Sequence, residues 1–456
     1  MEKKILNVNM VEGRCRLESL SSEEGMLSGL PLALEIYKQH NKKAFVMTFT
    51  DAGVISLFTS PQSKKVYYSF SSKSYFDSIL SSGIVALVIE GVARKLSFLM
   101  LSNTHAEVRQ CEQLRFSSPS VFSSLFLDEG VMLSIGCSGE KLSCFSSLFT
   151  PEGEEIARGG VGAVLSSMNL KGILIEGAKE DLEIPAYPSL NKSIKCGFLP
   201  FEYFSGASDP RLMHLSSLSF FPLVAATSNM GFFSPERAKR FKDATFEEGL
   251  SLSESAEVIA YMRFNGELKE ASFDDILSYI HQMGEGRKVP SIEKMLLTAG
   301  HMAILDYRGA PVWAVFSSFS ESFIPYISLE ENISRHFTPQ CAGIVAFYLR
   351  LYTHASFSLG FRDDLLPNIK HLISNPSLLR LAFRKMLKEK AFVLAGLSSM
   401  EAYDSEVGGR ASISDYFSEN VGADNYVTNL RYAPLMEAYE IEKSLLYKKL
   451  NRSRAK

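Results

Sequence analysis

"EEIARGGVGAVLSSMNLKG", Glu154 to Gly172, decides how this chain reads. Four glycines and an arginine stand behind two acids, and the stretch then turns apolar. Glycine has no Cβ, so glycines this dense mark a backbone that turns tightly or lies close to another group. The residues that follow predict a sharp turn into a helix, and then a strand at "GILIEG" (172–177).

Working outward, short β-branched and aromatic runs dominate up to about residue 180. They are "KAFVMTF" (43–49), "GVISLFT" (53–59), "KVYYSF" (65–70), "IVALVIEG" (84–91), "LSFLML" (96–101) and "VMLSIG" (131–136), with helical spacing in "LPLALEIYKQ" (30–39). The Ser/Phe interleaving of "SSPSVFSSLF" (117–126) reads as strand alternation or loop. Beyond about residue 230 the period becomes 3.6. Ser234 and Pro235 open one helix and Ser272 opens another. In "SLLRLAFRKMLKEKA", Leu378, Leu379, Ala382, Phe383, Met386 and Leu387 form one stripe, and a last helix follows Pro434. Strands first and helices later predict an α+β fold: a β-rich N-terminal domain over 1–185 and a mostly helical region over 186–456. No sequence repeat is visible.

Composition narrows the function. A net charge of −3 argues against nucleic-acid binding, which needs a concentrated basic face. The basic C-terminus, "YKKLNRSRAK" (447–456), reads as a solvated helix end. No apolar run reaches the ~18 residues of a membrane span, and no signal peptide is apparent. Six scattered cysteines (Cys15, Cys111, Cys137, Cys144, Cys196, Cys341) suit reduced thiols, so a cytoplasmic location is expected. Gly160-Val-Gly162 resembles the opening of a dinucleotide fingerprint, but Leu165 holds the third glycine's place and acidic residues rather than a strand precede it. Nucleophile elbows, Walker loops and H-E-x-x-H are absent. Trp313, in "WAVFSSFSESF", reads as packing, the histidines (His301 and His354 among them) as surface or core, and Cys137 as a small core residue.

"ARGGVGAVLSSMNLKGILIEG" closely resembles the G-R-G-G-x-G-A-V-M-G-S-K-N-L-K-A-I motif of the aldehyde ferredoxin oxidoreductase family, the tungstopterin enzymes. Further matches keep the family's order. "ILNVNMVEGRCRLE" is similar to its N-terminal strands, Thr59-Ser60-Pro61 to K-S-P, "SSGIVALVIEGVARK" to A-G-Y-D-A-I-V-V-E-G-K-A-x-K and "IGCSGEKLSC" to I-G-P-A-G-E-N-L. Fainter ones follow in "TSNMG", "LDYRGA" and "SLGF". Members of that family are typically longer, so the resemblance is to a shortened, divergent member.

The resemblance implies aldehyde oxidation at tungsten held by two pterins, with electrons leaving through a 4Fe–4S cluster to ferredoxin. It also implies which residues should hold these groups, and many differ here. Residues 201–220 lack the family's closely spaced cysteines, and Phe357 and Arg362 stand where its late aspartate and thiolate should be. Its pterin-contacting arginines fall on Gly53 and Glu154, with Glu155 and Ala157 at the adjoining alanine and glycine. Phe70, Ser72 and Ser251 replace an asparagine, a glycine and an aspartate, and Ser219-Phe220-Phe221 replaces E-Y-E. What remains is Arg158, Gly159, Gly160, Gly162, Asn169 and Lys171, with Asp306 and Arg308 as weaker matches.

Arg158, Gly159, Gly160, Gly162, Asp306 and Arg308 are therefore the residual cofactor-binding candidates, with no catalytic residue or metal ligand assigned. The expectation is a family homologue that has lost its tungstopterin or molybdopterin and its cluster. It would act as a non-catalytic binding or assembly subunit, as a homodimer or paired with a complete relative. Two alternatives stay open. One is an active oxidoreductase on aldehydes or oxo groups that uses tungsto- or molybdopterin without the usual cluster and is served by ferredoxin. The other is a small-molecule binder using the vacated cavity, with Phe70 and Phe357 partly filling it.

Overall fold

The computed structural model describes residues 2–178 (except 22–26, 52, 62–65, 72–74, 104 and 154), 235–287 (except scattered positions from 253 to 269), a few positions from 347 to 359, and 390–406 and 440–448. The chain opens with a hairpin, β1 (Lys4–Asn9) and β2 (Arg14–Ser19). At its turn the Asn9 side-chain oxygen accepts the amides of Val11 and Glu12 at 3.0 and 3.2 Å, a short polar side chain standing in for a backbone turn bond. Helix α1 (Gly29–Gln39) follows, then the antiparallel β3 (Phe45–Thr50), β4 (Gly53–Thr59) and β5 (Val66–Ser71). A short α2 (Asp77–Ser81) leads into β6 (Ile84–Glu90), which returns parallel to β1.

The chain then runs the same path again. A second hairpin, β7 (Ser97–Leu101) and β8 (Ala106–Gln110), precedes α3 (Pro119–Ser124) and β9 (Gly130–Ser134). After the short α4 (Cys137–Glu140) come β10 (Leu148–Phe149) and β11 (Glu155–Ala157). Helix α5 (Val161–Ser167) leads into β12 (Leu170–Glu176), parallel to β7. The two six-stranded sheets have orders β2-β1-β6-β3-β4-β5 and β8-β7-β12-β9-β10-β11, which are one topology repeated. The sequence showed no repeat because strand pairing, not residue identity, carries it.

Burial explains the runs read as strands. In β7 every residue is buried. Leu99 and Leu101 join a core shared with Leu6, Phe45 and Val54 of the first sheet, whereas Phe98 and Met100 pack with Phe122 of α3 on the opposite face. A strand covered on both sides reads as a continuous apolar run. Each fully buried Leu or Phe contributes roughly 1.5–3 kcal/mol, more than the ~0–1 kcal/mol of an exposed ion pair. The two-sheet core is therefore what fixes the domain.

Two expectations fail here. Residues 119–124 of "SSPSVFSSLF" are helix, not strand or loop: Pro119 is its first residue and the Ser118 side chain accepts the Val121 amide. The Ser-Pro signal outweighs the Ser/Phe alternation because it satisfies an end amide and presets φ. Glu155–Ala157, read as merely acidic, form β11.

Helices follow: α6 (Pro235–Glu248), α7 (Phe273–Gly284) and α8 (Lys390–Glu406), with helix again over 440–448. Ser272 caps α7 as expected, its Oγ accepting the Asp275 amide while Asp275 accepts the Ser272 amide at 2.8 Å. Ser234, the stripe from Leu378 to Leu387 and Trp313 lie outside the described residues. Helix α8 reaches the first sheet, where the Tyr403 hydroxyl donates to the Val66 carbonyl at 3.0 Å. Among the described residues no helix is long and apolar enough to cross a membrane.

Candidate functional site

The glycine loop joins β11 to α5. Gly159 and Gly160 sit at φ 74° and 82°, a left-handed backbone that other L-residues rarely adopt. Space forbids a side chain as well. A Cβ on Gly159 would stand 2.7 Å from the Tyr67 ring; one on Gly160 would stand 2.4 Å from Pro61 Cγ and 2.8 Å from the Cys144 carbonyl. A Cβ on Gly162 would meet Ser146 at 2.8 Å. The Ser60 hydroxyl donates to the Gly159 carbonyl at 3.0 Å across 99 residues, and the Gly162 amide donates to the Ser146 carbonyl at 3.3 Å. The motifs at 59–61 and 157–162 thus meet, and the close approaches made by these glycines are to the chain's own atoms.

Arg158 does not point to open solvent. Its Nε lies 3.2 Å from Glu155 Oε2, with side chains 10% and 8% exposed. Glu155 Oε2 also accepts the Ser147 hydroxyl at 3.1 Å, and Oε1 accepts the Leu252 amide at 2.8 Å. Arg158 Nη1 is buried with no hydrogen-bond partner among the described residues. Sequence reading singled out Arg158 and Glu155 separately. It missed Ser147 and Leu252, for which no local signal exists.

A second ion pair lies further along the same motif. Lys171 and Glu140 meet at 2.5 Å with side chains 0% and 1% exposed. Lys171 Nζ also donates to the Ser117 carbonyl at 2.8 Å, and Glu140 accepts the Phe116 amide at 2.9 Å. Burial holds the Lys171 ammonium below the usual lysine range, with Glu140 opposing that shift. Asn169, itself at φ 55°, donates to the Ala93 carbonyl at 2.6 Å. Asn169 and Lys171 therefore tie the fold together.

Other candidates separate. The Ser251 amide donates to the Phe145 carbonyl at 2.7 Å, and its buried hydroxyl has no partner among the described residues. Cys137 donates to Glu248 Oε2 at 3.3 Å, and the other oxygen of Glu248 meets His281. Burial, then the Glu248 charge, push the Cys137 thiol up to about 12. Cys15 and Cys111 rise to about 11 and about 12, chiefly by burial. Fully buried His354 hydrogen-bonds Tyr68 at 3.0 Å and Ser399 at 2.9 Å, a core histidine joining β5 to α8. Among the described residues no three His, Cys, Asp or Glu side chains gather to hold a metal. Asp306, Arg308, His301, Glu154, Ser72, Phe357, Arg362, Cys196, Cys341, residues 201–220 and the Phe70 side chain lie outside the described residues.

Residues 5–177 match the aldehyde ferredoxin oxidoreductase N-terminal domain family. A tungsten-containing aldehyde ferredoxin oxidoreductase of Pyrococcus furiosus is 31% identical over 114 residues, 24% of this chain and 19% of that protein. The chain thus aligns with about a fifth of that relative's length. The whole chain is similar in fold to the active-site complex BamBC of benzoyl coenzyme A reductase, solved with 1,5-dienoyl-CoA. The TM-score is 0.58 at 12% identity, covering 98% of this chain and 95% of that one.

Proposed function

From the premise that this chain is a divergent member of the aldehyde ferredoxin oxidoreductase family, we propose that it serves as a non-catalytic binding or assembly subunit that pairs with a complete relative. One observation carries this reading: Arg158, the surviving cation of the loop, is occupied by Glu155. A charge-assisted hydrogen bond contributes about 1.5–3 kcal/mol. A phosphate that formed one with Arg158 Nη1 would sit beside the Glu155 carboxylate. Two such charges ~4 Å apart repel by about 4 kcal/mol at an effective dielectric of 20. The arrangement does not fit the anionic tail of a pterin. The loop glycines, packed on Tyr67, Pro61 and Ser146, act as a joint between the motifs.

The fold of BamBC, itself a complex, supports a subunit role. That BamBC is an active-site complex also favours a second reading, a working oxidoreductase. One measurement separates the two: tungsten, molybdenum and iron content of protein purified without air or chelator from tungstate-supplied cells. The proposal expects metal-free protein that co-purifies with a complete relative. Near-stoichiometric tungsten or molybdenum overturns it.

A further inference from the structure

Two hydrogen bonds and one ion pair from separate parts of the chain converge on one carboxylate. Arg158 Nε comes from the loop itself, the Ser147 hydroxyl from the segment entering β10, and the Leu252 amide from beyond α6. Both oxygens of Glu155 are engaged, and the side chain is 8% exposed. An ordinary ion pair needs only the first of these donors. Arg158 Nη1, buried and without a partner among the described residues, keeps a further donor in reserve. This is how a protein holds a small oxyanion: charge-assisted and neutral donors aimed at one point and shielded from water.

We infer that Glu155 is an internal anion, its carboxylate filling a seat that accepts a small external carboxylate or oxyanion once Glu155 is shortened. Glu155→Ala removes a fragment the size of acetate, so acetate is the matching probe. The seat would then offer the guanidinium charge, the hydroxyl and the amide to the probe. In the native chain the tethered carboxylate outcompetes free anions, because it is already positioned and loses no translational freedom on binding.

The test is thermal unfolding of the native chain, Glu155→Ala and the double variant Glu155→Ala/Arg158→Met. Each is titrated with sodium acetate, sodium formate and inorganic phosphate against sodium chloride at matched ionic strength. Glu155→Ala is expected to melt lower than the native chain and to regain about 2–4 °C saturably in acetate. The native chain and the double variant should show no shift beyond chloride. If Glu155→Ala does not fold in chloride, refolding yield becomes the readout, and recovery in acetate but not in chloride is expected. A folded Glu155→Ala indifferent to all three anions overturns the inference. So does an equal response in the double variant, or no recovery in acetate. The readout involves neither metal nor partner, so it stands or falls apart from the proposed subunit role.

Discussion

Two buried ion pairs stand on the same sequence motif and differ in origin. Lys171–Glu140 joins two positions that both match the family's motifs, N-L-K and G-E-N-L. Arg158–Glu155 joins one position that matches with one that departs. The first is wholly dry, with the Ser117 carbonyl on Lys171 and the Phe116 amide on the same Glu140 oxygen as the ammonium, while Glu140 Oε2 is buried without a partner among the described residues. The second is a little more open and keeps a donor unused. The lesson is that two cations of one motif can both be held by carboxylates of the chain itself, one sealed from water and one less so.

The largest effect should come from splitting the dry pair. Lys171→Met leaves the buried Glu140 carboxylate without its cation and is expected to lose about 3–5 kcal/mol by urea denaturation. Adding Glu140→Leu should recover most of that loss, because no unpaired charge then remains. If the single variant costs under ~1 kcal/mol, the pair does not brace the fold. Gly160→Ala comes next. A left-handed backbone costs roughly 1–2 kcal/mol, and the contacts with Pro61 and the Cys144 carbonyl add about 1–3 kcal/mol of overpacking. Equal stability of this variant would mean that the loop is free to move.

Arg158→Met should cost less, about 1.5–3 kcal/mol, because Glu155 keeps the Ser147 hydroxyl and the Leu252 amide. A loss equal to that of Lys171→Met would erase the contrast between the pairs. The smallest effect lies in the thiols. Cys111 and Cys137 are raised from 9.0 to about 12, and Cys15 from 9.0 to about 11. Above pH 9 the unfolded chain gives up these protons more readily than the folded one. Stability is therefore fully present below about pH 9 and falls as pH rises toward 11–12. Alkylation of native protein at pH 8, mapped by mass spectrometry, should be slow at all three. Fast labelling of Cys111 would mean that the wall around Lys171 opens.

Legibility followed the range of the interaction. The strand at 53–59 was read to the residue, and the capping box at Ser272 was half seen, because periodicity and caps act within a few residues. In helix α3 the Ser/Phe alternation points to a strand, whereas the Ser118 cap and Pro119 at the first position decide for helix. The resemblance of the loop pointed to Arg158 and its glycines, and to Asn169 and Lys171. It did not indicate that Lys171 would be sealed against Glu140.

The sequence alone determined that strands give way to helices along the chain and which family its first domain resembles, because apolar spacing and glycine placement act locally on the backbone. Only the tertiary structure decided that one strand path runs twice, and that Arg158 faces Glu155, Ser147 and Leu252. The reason is physical. Whether a cation serves a ligand or a carboxylate depends on which groups from distant segments share its low-dielectric surroundings, and no local pattern encodes that meeting.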